Sequence, residues 1–80
     1  MRILSLILLS LLSLHASVNL NTASEEQLAT LKGIGPAKAK AIIEYRTKNR
    51  GFKKVEDILI VKGIGPKIFD TIKNDITVAP

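Results

Sequence analysis

The sequence predicts an all-α domain made of two copies of one small unit, each a short helix, a tight hairpin and a second helix. Leu31-Lys32-Gly33-Ile34-Gly35-Pro36 recurs thirty residues later as Val61-Lys62-Gly63-Ile64-Gly65-Pro66, and an internal repeat outweighs local propensity when a fold is inferred. The flanking apolar positions agree, with Leu28 matching Ile58, Ala39 matching Phe69 and Ile42 matching Ile72. Each glycine follows an apolar stretch and each proline stands three residues further on, the stop and start signals of consecutive helices.

In chain order, Arg2 precedes a leucine-rich run over residues 3–14 that closes on the small residues Ala16-Ser17, the arrangement of a secretory signal peptide. A membrane span needs about 20 apolar residues, more than this run offers before Asn19 and Asn21. Residues 1–16 are therefore read as a signal peptide and residues 17–80 as the exported domain. Leu14 stands where a small residue is preferred before a cut, so an uncleaved N-terminal anchor is the alternative. The sequence has no cysteine, hence neither a disulfide framework nor a lipidated N-terminal thiol. Export rests on the leader alone.

The first repeat spans about residues 22–49 and the second about 54–78. Thr22/Glu25 and Ser24/Gln27 both have capping-box spacing, so a helix starts near residues 22–24 and carries Leu28 and Leu31 inward. Gly33 stands where a helix end wants positive φ, and the helix from Pro36 to about Asn49 buries Ala39, Ile42 and Ile43 at helical spacing. Asn49-Arg50-Gly51 is turn chemistry linking the repeats, and Phe52 folds back as a core plug. Residues 55–60 and 66–73 repeat the helix pair, giving four main helices. Residues 18–20 and 76–78 read as extended ends that cover the open side of the bundle. About sixty residues bury only about 60% of the surface of their unfolded chain, so there is room for one core.

The whole sequence carries a net charge of +5, and losing residues 1–16 removes Arg2 and the only histidine, leaving 11 basic against 7 acidic residues and a net +4. Such a balance suits a polyanionic partner, though it also suits a protein that is merely soluble. The hairpins sharpen the choice. A helix N-terminus leaves backbone N–H groups unpaired and carries partial positive charge, which attracts phosphate oxygen. With Gly35 and Gly65 as N-caps, the donors would be the amides of Gly35, Ala37 and Lys38 in the first hairpin and of Gly65, Lys67 and Ile68 in the second. Glycine there lets a sugar-phosphate backbone approach, and Ile34 and Ile64 read as apolar plugs. One Gly-Ile-Gly-Pro is common punctuation; two in matched phase, each beside lysines, are not.

The candidate binding residues are thus Lys32, Gly33, Gly35, Ala37, Lys38, Lys40, Lys62, Gly63, Gly65, Lys67, Ile68 and Lys73. Lys48, Arg50, Lys53 and Lys54 form a separate group in the connector, where a solvated face is an equally good reading. Tyr45 reads as partial core, and Phe52 and Phe69 are expected inside, which argues against stacking on single-stranded bases. No cofactor or metal is expected.

These motifs, together with Val18-Asn19-Leu20-Asn21-Thr22-Ala23-Ser24, Ile42-Ile43-Glu44-Tyr45-Arg46 and Val55-Glu56-Asp57-Ile58, resemble the ComEA-type competence DNA receptors over essentially the whole chain after the leader. The resemblance implies a compact double helix-hairpin-helix fold that binds double-stranded DNA without reading its sequence, in DNA uptake during natural transformation. It also implies a periplasmic location without stable membrane insertion after cleavage, a ratchet role on incoming DNA, and contacts with other proteins of the uptake machinery. Two positions depart from the pattern. Ile68 stands where the family's second hairpin carries another lysine, implying a second grip that is weaker or rests on Lys67. Lys54 replaces a serine cap, leaving the third helix uncapped and short.

Two other function classes remain to be weighed. DNA glycosylases of the same superfamily place a catalytic lysine where Lys67 stands, but they need a downstream aspartate and a second lobe around a flipped base; catalysis is not expected. Related tandem domains also serve as protein-interaction modules in larger assemblies. The lysines around both hairpins favour DNA, since a protein-binding version has no need of them.

Overall fold

The structure, a computed structural model, describes residues 17–79; the proposed leader, residues 1–16, lies outside the described residues. A short strand β1 (Val18–Asn19) leads into α1 (Glu25–Ala29) and α2 (Gly35–Lys48). A 3-10 helix (Val55–Ile60) then precedes α3 (Pro66–Ile72), a closing 3-10 turn (Lys73–Asp75) and β2 (Ile76–Thr77). Among the described residues no helix is long and apolar enough to cross a membrane.

Local chemistry sets each boundary. Of the two capping-box spacings, Ser24/Gln27 forms: the Ser24 Oγ accepts from the Gln27 N–H at 3.1 Å and the Gln27 Oε1 from the Ser24 N–H at 2.9 Å. Thr22 lies in the preceding turn, its N–H donating to the Asn19 carbonyl. The α2 helix ends in a Schellman arrangement, with the Gly51 N–H on the Arg46 carbonyl at 2.7 Å and Arg50 in left-handed backbone at φ 58°.

Two expectations are corrected. The third helix is 3-10 rather than α. Lys54 supplies no cap, and the carboxylate of Asp57, inside the element, accepts from the N–H groups of Lys53 and Lys54 at 3.0 and 3.2 Å. The extended ends also do more than cover the core. They pair as a two-residue parallel ribbon, Val18 with Ile76 and Asn19 with Thr77, extended by the Leu20 N–H on the Thr77 carbonyl.

The core repeats as the sequence does. Leu28 and Ile58, and Ile42 and Ile72, are repeat-related pairs, and all four are fully buried together with Leu20. Each such side chain contributes about 1.5–3 kcal/mol relative to exposure. Ile43 and Phe69 are only partly buried, less than the sequence suggested, whereas Phe52 is buried as a plug and stacks on Tyr45 with ring centroids 4.7 Å apart.

Polar side chains lock this arrangement from outside the core. The Asn21 Oδ1 accepts from the Phe52 N–H at 2.6 Å, and its Nδ2 donates to the carbonyls of Phe52 and Val78. Arg46 Nη1 donates to the carbonyls of Leu20 and Ala23 at 3.1 and 2.7 Å. The first turn, the connector and the C-terminal strand are thereby joined at one end of the domain, and the two hairpins stand at the other.

Candidate nucleic-acid interface

The two hairpins open identically. The Ile34 N–H donates to the Leu31 carbonyl at 3.0 Å, as the Ile64 N–H does to Val61 at 3.1 Å. Gly33 and Gly63 take φ of 85° and 90°, a conformation that glycine adopts without steric cost. Ile34 and Ile64 are buried plugs, as their position suggested.

Beyond the plugs they diverge, which corrects the expected N-cap. Gly65 is extended at φ −103° and ψ −177° and caps α3, whereas Gly35 lies at φ 63° as the first residue of α2, with Ile34 at the cap. Glycine's access to both signs of φ lets one hexapeptide close in two ways. An N-cap carbonyl accepts the first intrahelical bond: in the second hairpin the Gly65 carbonyl accepts from the Phe69 N–H at 3.0 Å, whereas in the first no such bond joins the Lys38 N–H to the Ile34 carbonyl. The amides of Gly35, Ala37 and Lys38 in the first hairpin, and those of Gly65, Lys67 and Ile68 in the second, have no backbone acceptor among the described residues.

The hairpins also pack on each other's repeat. A β-carbon on Gly63 would stand 3.5 Å from the Cε of Lys38, and one on Gly33 would stand 3.6 Å from the Cγ1 of Ile68. Lys38 and Ile68 are repeat-related, so the contact is exchanged about a pseudo-twofold axis that sets the hairpins side by side. The half-buried Lys38 thus carries its ammonium to the second hairpin. A lysine in place of Ile68 would have served the first. The departure at Ile68 weakens the cationic surroundings of hairpin one, not of hairpin two.

The remaining candidates lie in the hairpin turns and along the helices that follow them. Lys32, Lys40, Lys62 and Lys67 are exposed, as are Gly33, Ala37 and Gly63. A β-carbon at Gly35 or Gly65 would meet no atom within 4 Å, leaving open space before both sets of amides. Lys73 is exposed and pairs with Asp70 at 2.9 Å, which partly neutralises it. Tyr45 is occupied by Phe52. Lys48, Arg50, Lys53 and Lys54 are exposed, but at the far end of α2 from its hairpin. The exchange of Lys38 was missed in the sequence, although the thirty-residue offset between Lys38 and Ile68 carried the signal.

Comparison with known proteins agrees with this geometry. The family model described as "Helix-hairpin-helix motif" matches residues 15–77. The chain is 54% identical over 63 residues to ComE operon protein 1 of Bacillus subtilis (strain 168), an alignment covering 79% of this chain and 31% of that protein. It is 47% identical over 62 residues to endonuclease/exonuclease/phosphatase family domain-containing protein 1 of Homo sapiens, covering 78% of this chain and 11% of that one. A Haemophilus influenzae protein is 45% identical over 49 residues, 60% of this chain and 44% of its own length. The chain thus spans about a third or less of the first relatives it matches, and its likeness to the human protein falls in the helix-hairpin-helix region.

Proposed function

Because the chain belongs to the helix-hairpin-helix family and is of the ComEA type, we propose that it binds double-stranded DNA without sequence preference, as an exported receptor in competence. The observation that carries this is the pair of hairpins set side by side, each with unpaired amides, open glycines and exposed lysines. Amides and lysines address phosphate oxygens, which are the same at every base pair. Apart from these lysines, the two hairpin hexapeptides hold no long polar side chain that could read base edges. The second hairpin, with Lys67 and the ammonium of Lys38 beside its amides, is the stronger grip.

Location follows from the leader-like residues 1–16: a periplasmic protein that holds incoming DNA against backsliding, in contact with other uptake proteins. Retention of the leader would instead tether it to the inner membrane. No catalytic role is proposed, since the relative whose name includes a nuclease family shares the tandem hairpins over 11% of its length.

Fluorescence anisotropy of a short mixed-sequence duplex across a salt series tests the reading. Neutralising about 4 phosphates gives a slope near −3.6 in log K against log salt, with single strands competing poorly and unrelated duplexes competing equally. Absence of binding at low salt would leave a protein-interaction module as the better account.

A further inference from the structure

The connector group Lys48, Arg50, Lys53 and Lys54 sits where the fold gains little from positive charge. Lys48 is well placed at the negative end of α2, and Arg50, two residues beyond it, shares that field in part. Lys53 and Lys54 precede the N-terminus of the 3-10 helix, the end at which cations are disfavoured. Arg50 occupies the left-handed C′ position at φ 58°, where glycine or asparagine is at home and a long side chain costs about 1 kcal/mol. Glycine stands instead at position 51, where a β-carbon would come within 3.0 Å of the Asn21 Oδ1. All four cations are exposed, and none has an ion-pair partner among the described residues. The nearest acids along the chain are the exposed Glu44, one turn before Lys48 on α2, the exposed Glu56, and Asp57, whose carboxylate is engaged by two backbone amides.

This surface differs from the hairpins in two ways. It is remote: α2 has 14 residues, so its C-terminus lies about 20 Å from the N-terminus that faces phosphate. It also has fewer free amides gathered at one point, because the N–H groups of Asn49, Gly51, Phe52, Lys53 and Lys54 are bonded within the protein, leaving those of Arg50, Val55 and Glu56. What remains is diffuse charge on flexible stems, which suits an extended anionic surface better than a single located phosphate. The chain enters the domain at this same end, since Asn21 is clasped to Phe52 and Val78 only a few residues after the leucine-rich run.

We infer that the connector group is a docking surface for anionic phospholipid headgroups, holding the domain on a membrane with both hairpins turned outward. The orientation rests on the hairpin reading; the lipid contact does not. Near an anionic leaflet each cation strengthens binding by about fivefold.

The test is sedimentation of the full chain with vesicles of phosphatidylglycerol mixed with phosphatidylcholine, against phosphatidylcholine alone. Residues 3–14 contribute on either lipid, so the difference between the two reads the charges. Changing Lys48, Arg50, Lys53 and Lys54 to Gln is expected to lower the preference for anionic vesicles by at least about tenfold while duplex affinity and its salt slope stay unchanged. A persisting preference overturns the inference. So does a matching loss of duplex affinity, which would assign the group to DNA. Arg50→Gly guards against misfolding, because it relieves the left-handed strain, raises thermal stability and still lowers the lipid preference by about fivefold. A chain that bound anionic vesicles but no duplex would sink the DNA reading and leave the lipid contact standing.

Discussion

Lys38 leaves α2 beside the first hairpin, yet its stem lies along Gly63 of the second, the Cε 3.5 Å from where a β-carbon would stand. Long basic side chains commonly bury an aliphatic stem and keep the charged head in water. Here that habit joins the two repeats and moves a charge from one hairpin to the other. The two functions of the residue are separable. Lys38→Met keeps the stem and removes the charge: melting temperature should stay within a few degrees, and the salt slope for duplex binding should fall by about one. Ile68→Lys is the reciprocal change, adding a cation over Gly33, and should raise the slope by about one. An unchanged slope in both variants would show that neither position meets phosphate.

Replacing Lys38 and Lys67 together by Ala should lower the slope by about two without altering preference among duplex sequences. Lys73→Ala should matter less, because Asp70 already offsets that charge at 2.9 Å and such exposed pairs contribute little to stability. Parallel anisotropy titrations decide between them. A Lys73 effect as large as that of Lys67 would move the contact surface along α3, away from the hairpins.

Asn21 is a structural clasp. Its side chain makes three hydrogen bonds, to the Phe52 N–H and to the carbonyls of Phe52 and Val78. Asn21→Ala leaves partly buried backbone groups unpaired and should destabilise by about 2–3 kcal/mol, lowering Tm by roughly 10 °C in a domain of this size. Duplex affinity at a temperature where the variant stays folded should not change. Calorimetry and anisotropy on one preparation would separate these effects, and a lost affinity with intact Tm would contradict the clasp.

What could be read from the sequence was whatever the repeat duplicates. Leu28 with Ile58, Ile42 with Ile72 and the plugs Ile34 and Ile64 are buried as paired, because a duplicated unit must bury equivalent faces. Features that depend on contact between the copies were not legible. The ribbon of Val18 and Ile76 joins residues far apart in the chain, and the exchange of Lys38 and Ile68 needs the pseudo-twofold axis. The difference between Gly35 and Gly65 arises within identical hexapeptides, so no local rule could foresee it. Lys54 was legible in part: a missing cap was evident, but not that Asp57 would supply the acceptor and the helix tighten to 3-10.

That difference between the glycines yields the sharpest separation of fold from function. Gly65 is extended at φ −103° and ψ −177°, a conformation open to any residue, and a β-carbon there meets nothing within 4 Å. The fold has no need of glycine at this position. Gly65→Ala should therefore change stability by less than about 1 kcal/mol, since the entropy it removes from the unfolded chain is offset by alanine's poorer fit at an N-cap. Its methyl group would nevertheless occupy open space beside the hairpin, where it is expected to hold a phosphate away and weaken duplex binding by about tenfold, the equivalent of one charge-assisted hydrogen bond. Gly35→Ala differs, because φ 63° strains an alanine by about 1 kcal/mol, so stability and affinity should fall together. Melting curves and anisotropy on the two variants distinguish the cases: if Gly65→Ala bound duplex as tightly as the parent, the second hairpin could not be approached by a phosphodiester backbone at its amides.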